Sequence, residues 1–259
     1  MNETFADGGL TLTTGRVAIL TIARAERRNA ATQAMWAELP DVCESIEARG
    51  DIRALIVRGQ GDRAFCAGAD MSEFERVYAT QQSTHLYNAQ IRGAQASLRN
   101  LRCPTIAAVQ GVCFGGGCGL ALACDLRVAD GSARFAITPA KLGLAYSPAD
   151  TWQLIEKVGV TRAKDLLLTG RTIAAPEALA IGLIDREDSA DAIDGATRLA
   201  QDFADMSPGA LAAIKKIANG LSMPSVGDDL IAAFEATFQG TDFREGYSAF
   251  LEKRTPDFD

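Results

Sequence analysis

Residues 104–125 read Pro-Thr-Ile-Ala-Ala-Val-Gln-Gly-Val-Cys-Phe-Gly-Gly-Gly-Cys-Gly-Leu-Ala-Leu-Ala-Cys-Asp, and the triplet Gly115-Gly116-Gly117 is the stretch best suited to chemistry. The apolar run Ile106–Val109 has the length of a buried strand, and an apolar helix is expected from near Cys118. Glycines in the turn between them admit backbone angles closed to other residues and let a ligand atom come close to peptide N–H groups. At a helix N-terminus those N–H groups lack intrahelical acceptors and carry partial positive charge. Such a turn can hold a negatively charged oxygen without a charged side chain. An isolated Gly-Gly-Gly is first of all a tight turn, and neither a phosphate-loop nor a dinucleotide pattern accompanies it here.

Two other segments strengthen the oxyanion reading. Ala64-Phe-Cys-Ala-Gly-Ala-Asp70 is again a strand, a turn of small residues and a helix start. Set beside the glycine triplet, it offers a second N–H, and two donors suit a thioester carbonyl that becomes an enolate. Asp70 with Glu73 three residues later reads as a helix-capping arrangement. Thr138-Pro-Ala-Lys-Leu-Gly-Leu144 follows a strand in the same manner.

Other chemistries find little support. The single histidine, His85, lies in the polar run Gln-Gln-Ser-Thr-His-Leu-Tyr-Asn and reads as a solvated surface residue, which leaves no Ser-His-Asp or Cys-His constellation. The six cysteines, at 43, 66, 103, 113, 118 and 124, contain no Cys-x-x-Cys pair, so no metal site is expected. They read as free, buried small hydrophobes, with a reactive thiol at Cys66 or Cys118 the lesser alternative. The net charge of -7 argues against nucleic acid as a partner. No apolar run approaches the length of a bilayer span, and the acidic start lacks the pattern of a signal peptide, so a cytoplasmic protein is expected.

The elements that must hold these segments follow from periodicity. Leu10–Leu12 and Val17–Ile22 flank Thr14-Gly15 as a hairpin. Thr32 caps a helical stripe with apolar residues at 35, 36, 39, 42, 43 and 46 that closes at Gly50, and Pro40 should bend or weaken it. Ala54–Val57 is a short apolar strand, and residues 72–100 are mostly helical. Leu126–Ala129 and Arg134–Ile137 read as strands, and helices dominate from about 150 onward. Strands alternating with helices define an α/β core with parallel pairing.

With these pieces in this order, the chain resembles the enoyl-CoA hydratase/isomerase (crotonase) superfamily over almost its whole length. The matching segments are Arg24–Ala30, Phe65–Asp70, Ile106–Gly117, Leu166–Gly170, Ala178–Leu183 and Arg244–Lys253. The resemblance implies a ClpP-like spiral of β-β-α turns over residues 1–190. It also implies a helical C-terminal region, 191–259, that packs into trimers or dimers of trimers. Its implied ligand is a coenzyme A thioester, with no further cofactor and with the N–H groups of Ala69 and Gly116 as the oxyanion hole. On the same match Arg27, Ala30, Ala67, Asp70, Met71, Gly115, Ala140 and Leu142 border the substrate. Phe250 and Lys253 would reach its nucleotide end, in the same subunit or from a neighbouring one. Residues 71–95 would line the acyl pocket.

The chain departs from the family at the two positions that hold the glutamates of enoyl-CoA hydratases, which here are Gly119 and Ala140. Neither side chain can move a proton, so the resemblance implies enolate chemistry other than standard two-glutamate hydration. Decarboxylation of a malonyl-type thioester is one candidate. Thr138–Tyr146 is similar to the corresponding stretch of methylmalonyl-CoA decarboxylase, which makes Tyr146 a candidate to orient a carboxylate or protonate the enolate. As a residue by itself it reads as a packing tyrosine with a bonded hydroxyl. Double-bond migration is the other candidate, with Asp150 the nearest acid. Asp150 also reads as the N-cap of the helix around Trp152, with Gln153 completing a capping box. A third reading is an acyl-CoA-binding or scaffolding subunit that has lost catalysis.

Overall fold

A computed structural model describes residues 2–222 and 228–258. The chain opens with an antiparallel meander, β1 (Asn2–Phe5), β2 (Leu10–Thr13) and β3 (Val17–Ile22), with Leu10 paired to Ile22 and Leu12 to Leu20. Helix α1 (Gln33–Ala48) then returns the chain so that β4 (Ala54–Gly59) pairs parallel with β3. Thr32 caps α1 by accepting from the Met35 N–H at 3.3 Å. The helix runs through Pro40 as a single element and ends at Ala48, because the packing of Trp36, Leu39, Val42, Cys43 and Ile46 outweighs one lost hydrogen bond.

Three β-β-α turns follow. The first consists of β4, β5 (Ala64–Cys66), the short α2 (Phe74–Val77) and α3 (Gln81–Arg99). The second is β6 (Thr105–Val109), β7 (Val112–Phe114) and α4 (Gly116–Ala123). The third is β8 (Leu126–Asp130), β9 (Arg134–Ala136), α5 (Pro148–Val158) and α6 (Val160–Thr169). In each turn the first strand joins the large sheet and the second joins the small one. The chain continues through β10 (Ile173–Ala174), α7 (Ala175–Ala180) and β11 (Arg186–Asp188). The large sheet is ordered β1-β2-β3-β4-β6-β8-β11, and the small one β10-β9-β7-β5. From β3 to β11 the large sheet is parallel, as are β5, β7 and β9 in the small one. All five residues of β6 are buried, as expected for a parallel strand covered on both faces. The superposition of successive turns accounts for the spiral that the sequence resemblance implies.

Four further helices close the chain: α8 (Ala192–Ala204), α9 (Pro208–Ser222), α10 (Asp228–Thr237) and α11 (Thr241–Glu252). The first of them packs within its own chain. Ala192, Ala196, Leu199 and Ala200 cover Ala54, Ile56, Ile106, Ala108 and Val128 on the outer face of the large sheet. Burial of Leu199 alone contributes about 1.5–3 kcal/mol. Lys215 on α9 ties the next helix back through its Nζ, 2.7 Å from Asp125 and 3.1 Å from the Cys103 carbonyl. Asp125 also accepts from the Thr105 N–H, a structural role that matches its position at an element boundary. Among the described residues no helix is long and apolar enough to cross a membrane. The six cysteines are free, and burial pushes the Cys66 thiol up to about 12, which removes it as a nucleophile near neutral pH. His85 is exposed, as expected, with Nδ1 3.0 Å from Glu235.

Candidate active site

The segment Arg24–Ala30 builds the floor on which the first of the two turns, Cys66–Asp70, rests. Asn29 is buried and donates from Nδ2 to the carbonyls of Gln60 and Ala64, at 3.1 and 2.6 Å. The Ala67 N–H donates to Arg28, and the Ala31 N–H donates to Gly68 at 2.8 Å. The Asp70 N–H then donates back to Ala31. This alternation leaves the Ala69 N–H out of the pairing. Gly68 reaches the turn with φ +101, a conformation that favours glycine. Asp70 caps the turn that follows, accepting from the Ser72 N–H, and is paired with Arg24 at 2.8 Å. Burial opposes its ionisation, but hydrogen bonds from Ser72 and Arg24 prevail and hold its carboxyl below the usual range. Glu73 does not complete a capping box with it. Its carboxylate accepts from the Gln33 N–H and from Arg76 instead.

The second turn is the glycine triplet. Gly115, at φ +50 and ψ −116, carries the chain out of β7, and its N–H donates to the Ala136 carbonyl on the neighbouring strand. Gly116 is the first residue of α4, so its N–H has no intrahelical acceptor. A Cβ on Gly116 would lie 3.7 Å from the Ala69 nitrogen, so the two turns bring their free N–H groups to one place. Gly117 sets that approach. A Cβ there would fall 2.2 Å from the Cys66 carbonyl oxygen and 2.9 Å from its carbon, atoms that cannot yield without moving the Ala67–Ala69 backbone. Gly117→Ala is therefore expected to destabilise the fold by about 1–3 kcal/mol, read as a fall in the urea midpoint. A midpoint equal to that of the unsubstituted protein would show that the two turns do not depend on this contact.

Ala69 and Gly116 open onto a cavity of about 200 Å³. Ala67, Gly68, Met71, Gly115, Thr138, Pro139, Leu142, Tyr146 and Asp150 also line it, together with Asn88, Ile91, Arg92 and Gln95 from α3. Its apolar walls include Trp36, Phe74, Tyr78, Leu144, Phe234 and Phe238. The cavity thus joins a pair of free N–H groups to an apolar chamber that contains few polar groups, the usual composition of a small-molecule site. Arg27, Ala30, Asp70, Gly119, Ala140, Phe250 and Lys253 do not line it. Arg27, Ala140, Phe250 and Lys253 are exposed, the last two at the end of α11.

The helix start at Asp150 differs from the expectation. The N-cap of α5 is Ser147, whose hydroxyl oxygen accepts from the Asp150 N–H at 3.0 Å, with Pro148 as the first helical residue. Asp150 falls within the first turn, and Gln153, which is buried, plays no capping part. The carboxylate is consequently free to point elsewhere. Its Oδ2 accepts from the Ser147 hydroxyl at 2.6 Å, while its Oδ1 is enclosed and has no hydrogen-bond partner among the described residues. That Oδ1 lies 2.4 Å from where a Cβ on Gly119 would sit, and Gln95 Nε2, also enclosed and unpartnered, lies 2.5 Å from the same point. Asp150 and Gln95 thus fill the space that a side chain at position 119 would need. Burial pushes the Asp150 carboxyl up to about 6, against the Ser147 hydroxyl and the nearby Gln95 amide, which both favour the ionised form. Tyr146 donates from its hydroxyl to the Gly115 carbonyl at 3.0 Å, bracing the glycine turn. Burial first, and the Asp150 charge second, hold that hydroxyl well above its usual range and therefore protonated.

The polar face of α3 and the aromatic lining from α10 escaped the sequence reading. Asn88 and Gln95 lie seven residues apart among the buried residues of α3, with Thr84 four residues before Asn88, and polar residues at helical spacing in a buried stripe are the signal that was available. Trp152 is half-buried rather than part of the core, and the Arg99 guanidinium stacks over its ring at 5.1 Å.

Fold and site together define an α/β protein with two free backbone donors at an apolar cavity of about 200 Å³ that Asp150, a buried acid, also lines. Residues 13–259 match the family model described as enoyl-CoA hydratase/isomerase. A putative enoyl-CoA hydratase from Thermus thermophilus is 36% identical over 251 residues, covering 94% of this chain and 98% of that protein. The solved structure of a putative enoyl-CoA hydratase/isomerase family protein from Hyphomonas neptunium is 38% identical with a TM-score of 0.81, covering 97% of each chain. A methylmalonyl-CoA decarboxylase solved with 2-nitronate-propionyl-CoA is 26% identical with a TM-score of 0.85, covering 96% of this chain and 98% of that one. The chain belongs to the enoyl-CoA hydratase/isomerase family, and its α/β crotonase fold is the one the sequence led us to expect.

Proposed function

We propose that the protein is an acyl-CoA isomerase that moves a double bond along an enoyl thioester, with one carboxylate in place of the two glutamates of standard hydratases. The thioester oxygen accepts from the N–H groups of Ala69 and Gly116. Asp150, ionised, removes a proton from the α-carbon of a 3-enoyl thioester. The negative charge spreads onto the thioester oxygen, where the two donors stabilise it. The same carboxyl returns the proton to the γ-carbon, leaving the 2-enoyl product, so atoms and charge balance over the cycle. The coenzyme A bound by the methylmalonyl-CoA decarboxylase neighbour supports a thioester as ligand.

The observation that carries this reading is the Asp150 carboxyl, buried, free at Oδ1 and raised towards neutral pH beside the oxyanion donors. A general base works best with a pKa near the working pH. Decarboxylation has less support, because the Tyr146 hydroxyl is occupied in bracing Gly115. The exposed Ile214, Ile217 and Leu221 on α9 supply an apolar face for self-association, in line with the trimeric assembly that the family resemblance implies.

The test is to offer the purified protein 3-hexenoyl-CoA, crotonyl-CoA and methylmalonyl-CoA. Formation of the conjugated 2-hexenoyl thioester is expected, with little hydration of crotonyl-CoA. Hydration at ordinary hydratase rates would overturn the proposal, and thermal stabilisation by acyl-CoA without turnover of any thioester would favour a binding subunit.

A further inference from the structure

Three cavity-lining residues of α3, Asn88, Arg92 and Gln95, are spaced by four and then three residues and so share one helical face. Gln95 lies at the Asp150 end and the other two lie further along. Asn88 is only 7% exposed, and its Nδ2 is enclosed with no hydrogen-bond partner among the described residues. Arg92 sits exposed at the cavity's edge, and among the described residues its guanidinium has neither an ion-pair nor a hydrogen-bond partner. A hydrocarbon chain end would leave these donors facing methyl and methylene groups, an unfavourable arrangement for an enclosed amide.

We propose that the acyl group ends in a carboxylate, received by the Arg92 guanidinium and the Asn88 amide. The substrate class is then the mono-coenzyme A thioester of a short dicarboxylic acid. This rests on the thioester reading above but not on the role of Asp150. Guanidinium is the side-chain group best matched to a carboxylate, because its N–H donors form a planar fork. Length agrees as well. From Gln95, near the reacting carbons, to Asn88 the helix advances about 10 Å at 1.5 Å per residue, the reach of a short acyl chain. Ile91, Leu144, Phe234 and Phe238 supply apolar wall for the intervening methylenes. The protein's net charge of -7 would repel a second anionic group unless a local cation received it, so any preference for a carboxylate must come from the pocket.

Calorimetric binding of glutaryl-CoA and pentanoyl-CoA tests this without any turnover. The unsubstituted protein should bind glutaryl-CoA about 10–100-fold more tightly, the range for hydrogen bonds to a charged group. Arg92→Met, which keeps an unbranched stem without the charge, should erase that preference and leave pentanoyl-CoA binding unchanged. Equal affinity of the unsubstituted protein for the two thioesters would overturn the proposal. So would an equal loss for both in Arg92→Met, which would put the guanidinium on the coenzyme A portion. If neither thioester binds, the thioester reading itself falls with it.

Discussion

Replacing Asp150 by asparagine should lower isomerisation of 3-hexenoyl-CoA about 10²–10⁴-fold, the usual cost of losing a general base, with thioester binding changed only a few-fold. The unsubstituted protein should gain activity as pH rises through about 6, where the buried carboxyl ionises, and the residual rate of the variant should lack that limb. Stability gives an independent readout with the opposite sign. In the folded protein the carboxyl sits at about 6, against 3.8 for an ordinary aspartate, so the native state holds its proton more tightly than the unfolded chain does. Below about pH 4 both states are protonated and this group costs nothing. As pH climbs from 4 to 6 the folded state loses stability from it, and the deficit persists at higher pH. The rise from 3.8 to about 6 corresponds to at most about 3 kcal/mol. Asp150→Asn should therefore be more stable than the unsubstituted protein by about 1–3 kcal/mol at pH 8, measured by urea unfolding, and no more stable at pH 4. A helix cap would behave otherwise, since losing one costs about 0.5–2 kcal/mol. Full activity in Asp150→Asn, or destabilisation at pH 8, would refute the role assigned to this residue.

The local parts of this molecule were legible before its tertiary parts. The strands at 54–57 and 106–109 declare themselves as short apolar runs, 126–129 as a strand-like run broken by Arg127, and the hairpin at Thr14-Gly15 as a turn between two apolar segments. The two glycine-bearing turns were readable for the same reason, because each is a contiguous strand, turn and helix start whose small residues admit a backbone closed to larger ones. Asp150 was read as a cap because Asp-x-x-Gln ahead of an apolar run is a genuine start signal. The stronger signal was Ser147 followed by Pro148, since proline prefers the first helical position and serine the one before it. That three-residue displacement turns the carboxylate from solvating a helix end into a buried group in the cavity. Asn88 and Gln95 showed only as polar residues at helical spacing in a buried stripe, and Phe234 and Phe238 had no local signature. Only the packing of α3 against α4, and of α10 and the following Phe238 beside α5, brings them to the site. The apolar face of α8 would fit a neighbouring subunit or its own sheet equally well, and it is the outer apolar face of β4, β6 and β8 that it covers.

Gly119→Ala should separate the space at this position from the chemistry it serves. The added Cβ would meet Asp150 Oδ1 at 2.4 Å and Gln95 Nε2 at 2.5 Å, so the carboxylate must move by about an ångström. A displacement of that size costs roughly 100-fold when the displaced group is the base. Stability should hardly change. The clashing atoms are side-chain ends that can swing aside, and alanine inside α4 gains about 1 kcal/mol of helix propensity over glycine. The expected result is a folded variant with an unchanged melting temperature, thioester binding and about 1% of the activity. Full activity would mean that Asp150 does not act from the space over Gly119. Gly119→Glu extends the same logic, because the new carboxylate would enter the space that Asp150 now fills. It should not create a hydratase. Ala140 supplies no second acid and, exposed on its turn, does not line the cavity, so crotonyl-CoA should remain unhydrated while isomerisation is lost. On the proposed mechanism, restoring one glutamate removes the base without completing the pair that hydration needs, and glycine at position 119 leaves the space that the Asp150 carboxylate of α5 fills.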